Sequence, residues 1–140
     1  MFENILLAVD GSDHALRAAK LAGDLARQMN SKEVRIVIAF DPVPIYLGEP
    51  DLQIVINARL KEAQKILKDA QDALGDISGK AHTEVLEGSS AEAIIEVANT
   101  HASDLIIMGS RGLGRIAEAV LGSTSQKVVA HAPCPVLIVR

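Results

Sequence analysis

Along the chain, short apolar runs rich in β-branched residues alternate with longer stretches in which apolar residues recur every three or four positions. That alternation is the pattern of βαβ units built around a parallel sheet. It predicts five strands. The first, Ile5-Leu6-Leu7-Ala8-Val9, is apolar at every position, as a strand is when helices cover both faces of its sheet, and it stops at Asp10-Gly11-Ser12. A helix follows in which Ala15, Ala18, Ala22, Leu25 and Met29 form one stripe while Arg17, Lys20, Asp24 and Arg27 take other faces, with Asn30-Ser31 closing it.

Val34 to Phe40 makes the second strand, and the stretch from Asp41 to Pro50 is too rich in proline for helix or central strand, so it reads as one long loop. The second helix carries Ile56, Leu60, Ala63, Leu67, Ala70 and Leu74 on its stripe and ends at Gly75. A strand around His82 to Leu86 has alternating polar residues that suit a sheet edge. Ser89 and Glu92 then have the spacing of a capping box for a helix bearing Ile94, Ile95, Val97 and Ala98. Leu105-Ile106-Ile107-Met108 is the fourth strand. After a glycine-rich segment come a helix from about Ser123 to His131 and a last strand, Val136 to Val139.

A length of 140 residues fits a single domain over 1–140, and 49% apolar with 23% charged residues is the balance of a chain that folds around its own core. The net charge of −4, without a cluster of Lys and Arg, argues against nucleic acid held by counterion release. Only three aromatic residues, Phe2, Phe40 and Tyr46, are present to stack on bases. No apolar run spans a membrane and Met1-Phe2-Glu3-Asn4 lacks a basic leader, so the expected location is the cytoplasm. The lone Cys134, between Pro133 and Pro135, reads as a small packed residue, and His14, His82, His101 and His131 are too dispersed for a metal site.

Candidate chemistry concentrates in Gly109-Ser110-Arg111-Gly112-Leu113-Gly114-Arg115 and in Gly122-Ser123-Thr124-Ser125, which lie between the fourth strand and the following helix. Ligands of α/β sheets bind at such junctions. Glycines let backbone approach a phosphate, and a helix N-terminus supplies amide donors with partial positive charge. The same residues also serve as ordinary turn glycines and a serine helix cap. There is no P-loop lysine and no complete G-x-G-x-x-G.

Gly109, two residues, Gly112, nine residues, then Gly122-Ser123 resembles the nucleotide-binding pattern of the ATP-binding universal stress proteins. The likeness covers the whole chain, including Ile5 to Ser12, Asp104 to Ser110 and Ala132 to Val139. It implies an open, doubly wound, Rossmann-like five-stranded parallel sheet in the order 3-2-1-4-5, with helices on both faces. It also implies that Asp10 contacts a ribose, that the backbone of Ala39 contacts adenine, and that Ala8, Val9 and Met108 line the site. Gly109, Arg111, Gly112, Gly122, Ser123, Thr124 and Ser125 match positions around the phosphates, Arg111 at a variable one. Asp10 has a plainer role open to it as a helix cap, which Ser12 could take instead.

The expected ligand is ATP, with Mg²⁺ bridging its phosphates because Arg111 and Arg115 cannot neutralise a triphosphate alone. The expected role is that of a stress-associated regulatory protein, the alternatives being a slow ATPase or phosphotransferase and a nucleotide-free dimeric interaction module. Binding is better supported than catalysis, because the phosphate loop has no lysine and Glu118 is expected to face solvent. The resemblance also implies a homodimer through Val136–Val139, an apolar strand expected at an open edge.

Overall fold

Each apolar run forms a strand and each longer period a helix. The computed structural model describes residues 1–40, 45–110 and 121–140, with elements β1 (Asn4–Ala8), α1 (Asp13–Met29), β2 (Glu33–Phe40), α2 (Asp51–Leu74), β3 (Ala81–Glu87), α3 (Ser90–Thr100), β4 (Leu105–Gly109), α4 (Ser123–His131) and β5 (Val136–Val139). The strands form one sheet in the order β3-β2-β1-β4-β5, and every neighbouring pair is parallel. β1 lies at its centre, with Leu7 opposite Ile36 of β2 on one side and Ile107 of β4 on the other.

Because side chains alternate across a strand, β1 feeds two cores. Ile5 and Leu7 join Val34, Ile36 and Ile38 against α1 and α2. Leu6 and Ala8 join Val37, Ile106 and Met108 against α3 and Val128 of α4. Leu6 and Leu7 have no exposed surface, and burying one such side chain contributes roughly 2 kcal/mol. Cys134 packs at the rim of the second core, where burial and the nearby Asp104 charge push its thiol pKa up.

Local signals fix the element ends. Ser12 Oγ accepts from the Ala15 amide at 3.2 Å and caps α1, whose C-terminus turns through Asn30 in the left-handed region. Gly75 stops α2 at φ +81°. The Asp104 carboxylate accepts from the amides of Glu3 at 2.8 Å and Asn4 at 3.0 Å, tying the start of β1 to the entry of β4.

Several expectations need correction. In α1 the buried stripe runs through Ala15, Ala18, Ala19, Ala22, Gly23 and Ala26, while Met29 is 36% exposed. Small residues seat this helix close to the sheet, and its larger side chains fall to the flank. Only the second half of the α2 stripe is buried, from Ala63 to Leu74, whereas Ile56 is half-buried and Leu60 is exposed. At 1.5 Å per residue a 24-residue helix is about 36 Å long, which exceeds the sheet it covers, so its first turns overhang. The loop before it contains one turn of 3₁₀ helix, Ile45–Leu47, and Asp41 to Pro44 lie outside the described residues. Ser89 occupies the N-cap of α3, but its exposed hydroxyl makes no bond to the helix amides. The capping box with Glu92 does not close, and water is left to satisfy the amides.

α1 and α2 meet most closely at Gly23. A Cβ there would overlap the carbonyl oxygen of Leu74, which also accepts from Arg27 Nη1 at 2.8 Å. Alanine is the better helix former by about 1 kcal/mol, but overpacking against immobile backbone costs about 1–3 kcal/mol. Gly23→Ala is therefore expected to lower stability by about 1 kcal/mol in urea denaturation, and a variant as stable as the parent would contradict this packing.

Candidate functional site

The sheet order reverses between β1 and β4, since β1 leads through α1 to β2 on one side while β4 lies on the other. The carboxyl ends of adjacent parallel strands with divergent connections leave a crevice. Ala8 of β1 is paired with Met108 of β4, and the Val9 amide donates to the Val37 carbonyl of β2 at 2.9 Å. Three strand ends therefore open together. The crevice there has a volume of about 240 Å³.

Its lining brings together every described residue that the family resemblance assigns to the site. Ala8, Val9 and Asp10 come from the end of β1, Ala39 from β2, Met108 and Gly109 from β4, and Gly122, Ser123, Thr124 and Ser125 from the start of α4. Arg111 and Gly112, with Arg115 beside them, lie outside the described residues. Four lining residues escaped the sequence reading: Ala15, Val37, Ser90 and Ile94. Val37 was accessible by strand alternation, two residues before Ala39 on the same face. Ser90 and Ile94 are one turn apart at the start of α3, where the topology turns that helix toward the strand ends.

Asp10 sits where β1 becomes a turn. Its Oδ1 accepts from the Ser12 amide at 2.9 Å, an Asx turn, while Ser12 caps α1. The capping role thus belongs to Ser12, and Asp10 Oδ2 accepts no hydrogen bond from another described residue. Asp10 is the one charged side chain among the described lining residues.

Gly109 ends β4 directly against α1. A Cβ at this position would come within 2.8 Å of His14 Cβ and 3.1 Å of the Ala15 nitrogen, so close approach of the two elements requires glycine here. The next residue, Ser110, is buried, and its Oγ is 2.7 Å from His14 Nδ1. Its amide donates to the Val139 carbonyl at 2.8 Å, and its carbonyl accepts from the Gly122 amide at 2.9 Å.

Gly122 is the N-cap of α4, with φ −63° and ψ 159°, and as a glycine it has no side chain to cap the helix. The first amide to bond within the helix is that of Gln126, which donates to the Gly122 carbonyl at 3.0 Å. The amides of Ser123, Thr124 and Ser125 precede it, the donor arrangement by which a helix N-terminus receives an anion. Ser125 Oγ is already engaged, donating to the Gly109 carbonyl at 2.9 Å in a buried position. Ser123 is exposed and Thr124 half-buried, so their hydroxyls remain at the mouth of the crevice.

The arrangement offers an apolar wall from Ala8, Val37, Ile94 and Met108, a carboxylate acceptor from Asp10, and a row of amides from α4. Among the described residues no group of three His, Cys, Asp or Glu side chains is placed to hold a metal ion. No described helix is long and apolar enough to cross a membrane.

These features define a doubly wound α/β domain with its ligand crevice at the switch point of the sheet. The model of the universal stress protein family matches residues 1–140, and the chain belongs to that family. It is 48% identical over 140 residues to the universal stress protein in the QAH/OAS sulfhydrylase 3′ region of Thermus aquaticus, covering 100% of both chains. The structure of the universal stress protein UspA from Lactobacillus plantarum superposes with a TM-score of 0.86 at 28% identity, over 99% of this chain and 98% of that one. A universal stress protein in complex with cAMP superposes with a TM-score of 0.71 at 29% identity, over 99% and 96% of the two chains.

Proposed function

We propose that this protein is a regulatory module of one domain that binds ATP in the crevice between β1 and β4. The observation that carries the reading is the N-terminus of α4, whose N-cap Gly122 has no side chain, placed in one cleft with an apolar wall and an Asp10 carboxylate oxygen that no other described residue engages. Adenine fits the wall, with the Ala39 backbone at its far side. Asp10 accepts from a ribose hydroxyl, and Gly109, Gly122, Ser123, Thr124 and Ser125 surround the phosphates with amides. Arg111 and Gly112 complete the phosphate end by their place in the glycine pattern. The cAMP complex of a relative supports an adenine nucleotide as the class of ligand.

Asp10 alone is too little to hold a divalent cation, so Mg²⁺ would be held mainly by phosphate oxygens, the usual manner of that ion. Efficient phosphoryl transfer needs an oriented base and a cation at the γ-phosphate. The chain offers no lysine in the phosphate loop, which favours a binding protein over a phosphotransferase. A stress-associated role follows the family name.

The backbone angles of Gly122 are in the extended region that valine adopts freely, so Gly122→Val fills space without straining the chain. The wild type is expected to bind ATP in preference to NAD by calorimetry, and Gly122→Val to lose ATP binding at unchanged melting temperature. Unaltered affinity in the folded variant would refute the assignment.

We further infer that β5 pairs with its counterpart in a second copy. β5 is an edge strand whose residues Val136 to Val139 are only half-buried, and such an edge invites pairing that a two-fold axis closes. Light scattering at micromolar concentration should give a dimer mass, lost in a still-folded Leu137→Pro variant. A monomeric wild type would exclude this interface.

A further inference from the structure

His14 stands in the first turn of α1, outside the crevice, and its imidazole reaches the element that leaves β4. Nδ1 lies 2.7 Å from Ser110 Oγ. Ser110 is 8% exposed and His14 half-buried, so this bond between side chains 96 residues apart in sequence is partly withdrawn from water, where a hydrogen bond is stronger than at the surface. It exists because Gly109 lacks a side chain: a Cβ there would meet His14 Cβ at 2.8 Å and drive α1 off the strand.

Ser110 is a junction of three elements. Its amide holds the Val139 carbonyl at the end of β5, its carbonyl holds the Gly122 amide at the start of α4, and its hydroxyl holds α1 through His14. The two backbone bonds fix Ser110 to β5 and α4, and its side chain is the part that meets α1, with the imidazole of His14 as its partner. Since the Ser110 carbonyl fixes Gly122, the His14 contact bears on where the amides of Ser123 and Thr124 point.

We propose that His14 is a positioning residue for the phosphate end of the crevice, acting through Ser110 to hold the α4 N-terminus in register with β1. The proposal rests on the nucleotide reading and adds to it a residue that touches no ligand. It distinguishes phosphate binding from base and ribose binding, because Val37 and Ala39 are held by β2 and Asp10 by its turn to Ser12, and among the described residues none of the three bonds to Ser110. A hydrogen bond of ordinary strength, about 1 kcal/mol, corresponds to roughly a fivefold change in affinity.

The test is titration of wild type, His14→Ala, Ser110→Ala, the double variant and His14→Asn with ATP and with adenosine, followed by calorimetry and NMR, beside melting temperatures. His14→Ala is expected to weaken ATP roughly fivefold while adenosine affinity stays within twofold. Ser110→Ala should lose as much, the double variant no more than either single one, and His14→Asn, whose amide can reach the same hydroxyl, should regain most of the loss. Equal ATP affinity in His14→Ala, an equal loss for adenosine, or additive losses in the double variant would overturn the positioning role while leaving the nucleotide reading intact. A wild-type protein that binds neither ligand would overturn both.

Discussion

The parallel pairing of β1 with β4 is the constraint on which the rest of the molecule depends. These strands are separated by about 100 residues, and their pairing closes the longest loop in the sheet, at an entropic cost about 1 kcal/mol above that of the β1–β2 pair. Complete burial of Leu6, Leu7, Ile106 and Ile107 offsets that cost. Once the two strands lie side by side, α1, which follows β1, packs in one core and α4, which follows β4, in the other. The crevice is what remains between them. Asp10, Gly109 and the start of α4 are neighbours in space for this topological reason, without any contact in sequence.

Within that frame, the crevice presents backbone donors more than charged side chains. The N-cap residue of α4, Gly122, has no side chain with which to cap the helix, and Ser125 is turned inward to the Gly109 carbonyl. Ser12 takes the capping duty at α1 and frees one Asp10 oxygen. An acidic protein can in this way present partial positive charge locally, with no basic patch and a net charge of −4.

Element type and the edge position of β3 were legible because continuous apolar runs, alternation and three-to-four periods are strong signals, whereas the strand order came from the family resemblance. The misreadings have local causes. Leu60 and Ile56 continue the α2 stripe in sequence, but the stripe outlasts the sheet beneath it. Met29 matches the α1 period, yet small residues such as Ala19, Gly23 and Ala26 take the contact. Ser89 and Glu92 have capping-box spacing, and spacing alone does not direct a solvated hydroxyl. In the crevice, residues beside a motif were readable. Those delivered by another element, Ser90 and Ile94 from α3 and the His14 contact with Ser110, depend on packing that a motif does not encode.

Backbone amide NMR during titration with ATP tests the central claim most directly, since it reports each donor separately. The account predicts the largest shifts at Val9, Asp10, Ala39, Gly109 and the amides of Gly122 to Ser125, with those of Ser123 and Thr124 absent from a parallel titration with adenosine. Saturable binding whose shifts fall instead on β3 or the exposed turns of α2, leaving the α4 N-terminus unmoved, would contradict it.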